Sequence, residues 1–121
     1  MKKIMVVDDE QDVCTMLTKF LTMKGYETSC AFSGEEAIKK VKEERPHCIL
    51  LDIGMPKMDG LETLKRIRKV NKGIGIVIIT GVEDDAVGRK CLKLGANDYI
   101  TKPLDLAYLE TVLIVQLVDS G

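Results

Sequence analysis

Short apolar runs alternate along the chain with longer stretches in which apolar residues recur every three or four positions. The runs at residues 4–7, 48–51 and 76–79 are uninterrupted and too short for helices. Such runs are typical of strands buried on both faces of a sheet. Residues 26–31 and 98–100 predict two weaker strands, the first of them near an edge.

The stretches between the runs predict five helices, because their apolar residues have helical spacing. Gly25 and Gly95 stand where the first and fourth helices end, and Pro46 requires the second to stop by Arg45. Capping boxes begin at Ser33 and at Asp59. The predicted helices cover residues 13–24, 34–45, 60–70, 86–94 and 105–118.

Strands and helices that alternate five times predict a doubly wound α/β fold, since each crossover is long enough for parallel pairing. A chain of 121 residues fits one domain over residues 1–121. The longest apolar runs are much shorter than a membrane span. The formal net charge is −1 and acidic and basic residues are mixed along the chain, which argues against a basic surface for nucleic acid. The four cysteines have no metal-ligand or disulfide spacing, which predicts reduced core thiols and a cytoplasmic protein.

Polar residues end four of the predicted strands. Parallel strands bring their carboxyl ends to one edge, so these residues share a rim. The rim residues are Asp8, Asp9, Asp52, Thr80 and Lys102. Carboxylates that converge there repel one another and imply a cation, and an all-oxygen ligand set favours Mg²⁺. Asp52 beside such an ion is a candidate nucleophile toward phosphorus, with Lys102 and Thr80 contacting the phosphoryl oxygens.

Each of these residues has an ordinary explanation when it is considered alone. A single acid at a strand end is usually a turn or helix-cap residue, and a lone Thr or Lys carries almost no signal. The prediction depends on their occurrence together at four strand ends. We assign Asp59 to capping and His47, the one histidine of the sequence, to a structural or exposed role.

Four segments together resemble the receiver domains of bacterial two-component response regulators, and the resemblance covers essentially the whole chain. The segments are Val-Val-Asp-Asp-Glu at 6–10, Leu-Leu-Asp-Ile-Gly-Met-Pro-Lys-Met-Asp-Gly at 50–60, Ile-Ile-Thr-Gly at 78–81 and Lys-Leu-Gly-Ala-Asn-Asp-Tyr-Ile-Thr-Lys-Pro at 93–103. The resemblance implies a flavodoxin-like five-stranded parallel sheet of order 2-1-3-4-5, with helices on both faces and Asp52 at the topological switch point.

The resemblance also implies a role for each rim residue. Asp52 would accept a phosphoryl group from the phosphohistidine of a histidine kinase or from a phosphotransfer protein. Asp9, Asp52 and the carbonyl of Gly54 would bind Mg²⁺ directly, and Asp8 would bind it through water. Thr80 and Tyr99 would form a switch pair, and the bond between Lys102 and Pro103 would be cis. Such a protein is not a conventional enzyme, because it catalyses only its own phosphoryl transfer and autodephosphorylation.

Three features depart from the usual pattern or leave a question. Gly54 and Val82 stand where many relatives carry longer polar side chains. Gly88 lies inside the fourth helix, where it fits a mobile element, although a tolerated glycine is the simpler interpretation. The last helix is apolar nearly all round at residues 112–118, which indicates that something covers it. The resemblance implies that the surface of the fourth helix, fifth strand and fifth helix is a homodimer or partner interface, and a segment of a longer protein is the other candidate cover.

Three other functions compete with a phosphorylation-gated switch. An aspartate-nucleophile phosphohydrolase uses a similar rim, but such enzymes usually place a second acid where this chain has Gly54. A flavin or nucleotide binder would want a Gly-rich phosphate loop after the first strand, where Asp8 and Asp9 would repel phosphate. A pseudo-receiver would bind partners without being phosphorylated.

Overall fold

The computed structural model of the protein describes residues 1–54, 60–81 and 85–118. Its strands are β1 (Lys3–Val7), β2 (Glu27–Ala31), β3 (Cys48–Asp52), β4 (Gly75–Thr80) and β5 (Asp98–Thr101). Its helices are α1 (Gln11–Met23), α2 (Gly34–Glu44), α3 (Gly60–Val70), α4 (Asp85–Lys93) and α5 (Leu106–Val118).

The strands form one sheet in the order β2-β1-β3-β4-β5, and every neighbouring pair is parallel. This order confirms the predicted topology, including the edge position of the weaker second strand. All residues of β3 and β4 are buried, as their uninterrupted apolar runs indicate. The central strands therefore form a rigid base beneath the rim.

Alternate residues of the strands face two separate cores. Met5, Ile49 and Ile78 pack in one cluster with side chains of α2, α3 and α4. Val6 and Leu50 pack in the other cluster with α1 and α5. The helices thus cover both faces of the sheet, and each face has its own apolar core.

The helix ends agree with most of the predicted signals. The Ser33 hydroxyl accepts a hydrogen bond from the backbone N–H of Glu36 at 3.1 Å, and the Glu36 carboxylate accepts one from that of Phe32 at 2.6 Å. Gly25 and Gly95 follow α1 and α4 with positive φ angles. Arg45 also has a positive φ, of 50°, which the sequence did not indicate for a residue other than glycine.

The turn after β3 and the start of α3 meet at Gly60. A Cβ atom at Gly60 would lie only 2.3 Å from the Cα of Ile53, so no side chain fits between the two backbones. This close approach fixes the turn that follows Asp52. The predicted cap at Asp59 lies outside the described residues.

The four cysteines are free thiols, and Cys14, Cys48 and Cys91 are buried. Within the described part of the chain, no helix is long and apolar enough to span a membrane. The outer face of α5 carries exposed apolar side chains, with Val115 59% and Val118 75% exposed.

Candidate functional site

The rim residues lie at the carboxyl ends of four strands. Asp8 follows β1 directly, Asp52 is the last residue of β3, Thr80 is the last residue of β4, and Lys102 follows β5. Because the strands are parallel, all four residues are at one edge of the sheet. The edge also contains the point between β1 and β3 where the strand order reverses direction.

The Asp52 side chain has a hydrogen-bond partner on each oxygen. Its Oδ2 accepts a hydrogen bond from the Lys102 ammonium at 3.1 Å, and its Oδ1 accepts one from the backbone N–H of Gly54 at 2.8 Å. A Cβ atom at Gly54 would lie 3.3 Å from Oδ1, so glycine lets the turn fold tightly over the carboxylate. The carboxylate is held in one orientation at the rim.

Asp8 is almost fully buried, and only one of its oxygens has a partner. Oδ1 accepts a hydrogen bond from the backbone N–H of Glu10 at 2.9 Å, while Oδ2 has none among the described residues. Burial raises the pKa of Asp8 to about 6; the Glu10 hydrogen bond opposes this shift, and the charge of Asp52 adds to it. The positive charge of Lys102 opposes the shift only weakly, so the buried carboxylate is incompletely compensated.

Lys102 is the cation that the structure places at the rim. Burial by itself would lower the pKa of its ammonium group, but the hydrogen bond to Asp52 and the charges of Asp52 and Asp8 raise it. Lys102 therefore stays protonated at neutral pH. One ammonium cannot offset both buried carboxylates, which leaves the site attractive to a further cation.

Three consecutive acids form a group suited to a metal ion among the residues that the structure describes. One carboxylate oxygen from each of Asp8, Asp9 and Glu10 lies within 4.8 Å of the other two. Asp52 is outside this group, although it is near enough to Asp8 to affect its pKa. Sequence reasoning did not propose Glu10 as a ligand; its position directly after two acids was the available signal.

Thr80 and Tyr99 lie on the opposite face of the sheet from Leu50. Thr80 is in the alternating set of Ile78, whose side chain lies in the α2–α3–α4 core, and the Tyr99 ring packs against that same core. Thr80 is fully buried, and its hydroxyl has no hydrogen-bond partner among the described residues. The structure places Thr80 and Tyr99 on neighbouring strands, on the face of the sheet that α2, α3 and α4 cover.

The remaining predicted residues have simpler positions. The bond between Lys102 and Pro103 is in the cis form that the resemblance implied. The His47 ring accepts a hydrogen bond from the backbone N–H of Lys3 at 3.0 Å, a structural role. Residues 55–59 and Val82 lie outside the described residues.

Comparison with known proteins agrees, over most of the chain, with the family resemblance of the sequence. A family model described as "Response regulator receiver domain" matches residues 4–114. The chain is 42% identical over 102 residues to the alkaline phosphatase synthesis transcriptional regulatory protein PhoP of Bacillus subtilis, covering 84% of this chain and 42% of that protein.

A second relative and one solved structure extend the comparison. The chain is 40% identical over 110 residues to the transcriptional regulatory protein ZraR of Salmonella typhimurium, covering 91% of this chain and 25% of that protein. The receiver domain of the Francisella response regulator 1452 superposes with a TM-score of 0.92 at 26% identity, covering 100% of both chains. The chain thus spans less than half the length of these two curated relatives.

Proposed function

The chain belongs to the family of response regulator receiver domains, and from this premise we propose that Asp52 accepts a phosphoryl group and thereby switches the surface of the domain. The donor is the phosphohistidine of a histidine kinase or of a phosphotransfer protein. The observation that carries the proposal is the Asp52 carboxylate at the end of β3, held by Lys102 at 3.1 Å beside the buried Asp8.

The acids at the rim fit a magnesium ion. Asp8 has a buried oxygen without a partner among the described residues, and the donors grouped at the site are carboxylates, which are ligands that Mg²⁺ prefers. Asp9, Asp52 and the Gly54 carbonyl would hold the ion, with Asp8 and Glu10 beside them. When bound, the ion neutralises the carboxylates and the developing charge on the phosphoryl oxygens.

The side chains have distinct tasks in the transfer. An oxygen of ionised Asp52 forms a bond to phosphorus as the bond between phosphorus and the donor's imidazole nitrogen breaks, and the imidazole leaves with the electron pair. Lys102 exchanges its contact with Asp52 for one with a phosphoryl oxygen. The later hydrolysis by water returns Asp52 to its carboxylate form, so the domain catalyses only reactions of its own phosphoryl group.

Thr80 and Tyr99 carry the change to the surface. The Thr80 hydroxyl has no partner among the described residues, so a phosphoryl oxygen beside it would supply its first hydrogen bond. Movement of Thr80 toward that oxygen changes the space available to Tyr99 on the same side of the sheet. The surface formed by α4, β5 and α5 then differs between the two states.

The exposed face of α5 is the contact surface that we propose for a second copy of the chain. Ile114, Val115 and Val118 are exposed apolar residues on this helix, where a solvent-facing surface would be polar. In a longer regulator, an attached output segment would use the same surface. Sedimentation of the protein with and without Val115→Glu tests self-association, which the substitution should abolish.

The decisive test is the intact mass of the protein after incubation with Mg²⁺ and acetyl phosphate. We expect one acid-labile phosphoryl group, which is absent in Asp52→Asn and after addition of EDTA. Asp12→Asn is a matched control, because Asp12 is an exposed acid of α1, and it should be phosphorylated normally. Absence of the group from the unmodified protein, or its presence in Asp52→Asn, would refute the proposal.

A further inference from the structure

The Tyr99 ring occupies the position that a side chain at Gly88 would fill. Gly88 is a buried residue in the middle of α4. A Cβ atom placed on it would lie 2.4, 2.5 and 2.6 Å from Cδ2, Cε2 and Cγ of Tyr99. Carbon atoms in ordinary contact are about 3.5–4.0 Å apart, so the ring or the helix would have to move by about 1 Å.

This contact accounts for a residue that otherwise weakens the helix. Glycine in a helix interior is unfavourable relative to alanine, and α4 has only nine residues. The contact favours a packing role for Gly88 over a merely tolerated glycine, because the missing side chain makes the room in which the ring packs. Val87 and Cys91 of α4 and the Tyr99 ring belong to the same apolar core.

The C-terminal end of α4 is held by Arg68 of α3. The Arg68 guanidinium donates to the carbonyl of Gly95 at 3.0 and 2.7 Å and to that of Ile74 at 2.7 Å. It also donates to the Asn97 side chain at 3.1 Å. These bonds join the C-terminal end of α4 to α3 and to the start of β4. Gly88 lies seven residues from Gly95, about 10 Å along a helix, so the Tyr99 contact lies away from the fixed end.

We propose that Gly88 is a positioning residue for Tyr99, and that the contact between them couples the orientation of the ring to a displacement of α4 about its Arg68-bound end. The packing part of this inference stands on the contact alone. Its regulatory consequence rests on the proposed function, because Thr80, on the neighbouring strand, is the residue that phosphorylation would move. In the resting state, the ring can pack inward only while position 88 has no side chain.

A double-mutant cycle of Gly88→Ala and Tyr99→Ala tests the packing without any phosphorylation. In an open helix, glycine to alanine should raise the melting temperature of a protein of this size by about 4 °C. We expect Gly88→Ala to lower the melting temperature of the unmodified protein and to raise it in the Tyr99→Ala background. Tyr99→Thr, which places a residue with a high preference for strands in β5, provides a second background if Tyr99→Ala does not fold.

An equal change in both backgrounds, whatever its sign, would overturn the inference. Arg89→Ala, at an exposed position of the same helix, is the matched control, and its effect should be the same with and without Tyr99. A difference in sign that is confined to Gly88→Ala would establish that the ring and the glycine occupy one space.

The regulatory consequence needs a direct readout of the ring. With 3-fluorotyrosine, the protein gives three ¹⁹F resonances, and Tyr99→Phe identifies the one from Tyr99. We expect that resonance to shift on phosphorylation, and to be shifted already in resting Gly88→Ala. An unchanged resonance in protein whose mass shows the phosphoryl group would refute the coupling. Failure to gain the group would refute the proposed function and leave the cycle as the test of the packing.

Discussion

Leu50 and Asp8 are buried to almost the same extent, at 0% and 1% exposure, but their surroundings satisfy them very differently. Leu50 lies in the middle of β3, among apolar side chains of α1, α5 and the neighbouring strands. Asp8 lies at the rim of the same sheet with one carboxylate oxygen that has no hydrogen-bond partner among the described residues. Burial of apolar side chains in the interior stabilises the folded protein, whereas burial of the Asp8 carboxylate at the rim destabilises it.

The difference teaches where this fold gives up stability for function. An isolated buried carboxylate is costly, and a second one nearby increases the cost. The apolar interior offsets that cost and keeps the charges at fixed positions. Truncating an interior side chain should therefore lower stability, whereas removing the charge of a rim carboxylate should raise it, and the predictions below test that contrast.

The largest change is expected in the interior. Leu50→Ala should lower the free energy of unfolding by about 3 kcal/mol, because it removes buried methyl groups and leaves a cavity in a rigid sheet. Denaturant unfolding measures this change. Leu92→Ala is the matched control, since Leu92 is 40% exposed on α4, and its loss should be less than half as large. Equal losses at the two positions would mean that the interior is not close-packed.

At the rim, Asp8→Asn should stabilise the protein in EDTA by about 2 kcal/mol at pH 7.5. Asparagine keeps an oxygen for the Glu10 N–H and removes the charge. The pKa of Asp8 is about 6 in the folded protein against an ordinary 3.8, so the folded state binds the proton more tightly. The contribution of Asp8 to stability should therefore fall as pH rises from about 4 to 6, and stay low above that range.

The stabilisation by Asp8→Asn should accordingly disappear near pH 4, where Asp8 is protonated in the folded protein. Unfolding curves at several pH values follow this change, with Asp12→Asn as the exposed control. Saturating Mg²⁺ should stabilise the unmodified protein more than Asp8→Asn, because the ion adds positive charge that Lys102 alone does not supply. If Asp8→Asn instead lowered the free energy of unfolding in EDTA, the negative charge of Asp8 would not destabilise the folded protein.

Removal of the rim cation should have a smaller effect of the opposite sign. Lys102→Met in EDTA should lower the free energy of unfolding by about 1 kcal/mol, since Asp52 then lacks the ammonium group that lies 3.1 Å away. The effect is limited because the Lys102 side chain is 40% exposed. In the Asp52→Asn background, the same substitution should cost much less, and a thermal double-mutant cycle measures the difference.

The sequence predicted the sheet more completely than it predicted the site. Local patterns predicted the helix ends at Gly25 and Gly95 and the cap at Ser33, the family resemblance implied the strand order, and the structure confirms all of them. The positive φ at Arg45 was not predicted, because a tight turn before Pro46 can be made in several ways. Local signals determine the elements, but not each turn between them.

At the rim, sequence position indicated which residues approach one another but not how they pair. Parallel strands bring Asp52 and Lys102 to one edge of the sheet, although the two residues are 50 positions apart in the sequence. The grouping of Glu10 with Asp8 and Asp9 depends on how the chain turns after β1, which the pattern of residue types does not specify. The contact of Gly88 with Tyr99 likewise depends on how closely α4 approaches β5.

The smallest predicted effect comes from an ion pair with similar geometry outside the rim. Glu62 and Arg66 are 3.3 Å apart on α3, close to the 3.1 Å of Asp52 and Lys102, but their side chains are 48% and 56% exposed. Glu62→Gln should change the free energy of unfolding by less than about 0.5 kcal/mol, and 0.5 M NaCl should remove even that difference. Asp52 is only 7% exposed, so salt should reduce the effect of Lys102→Met much less. If both pairs contributed equally and responded equally to salt, the rim would be an ordinary charged surface, and burial would not explain its properties.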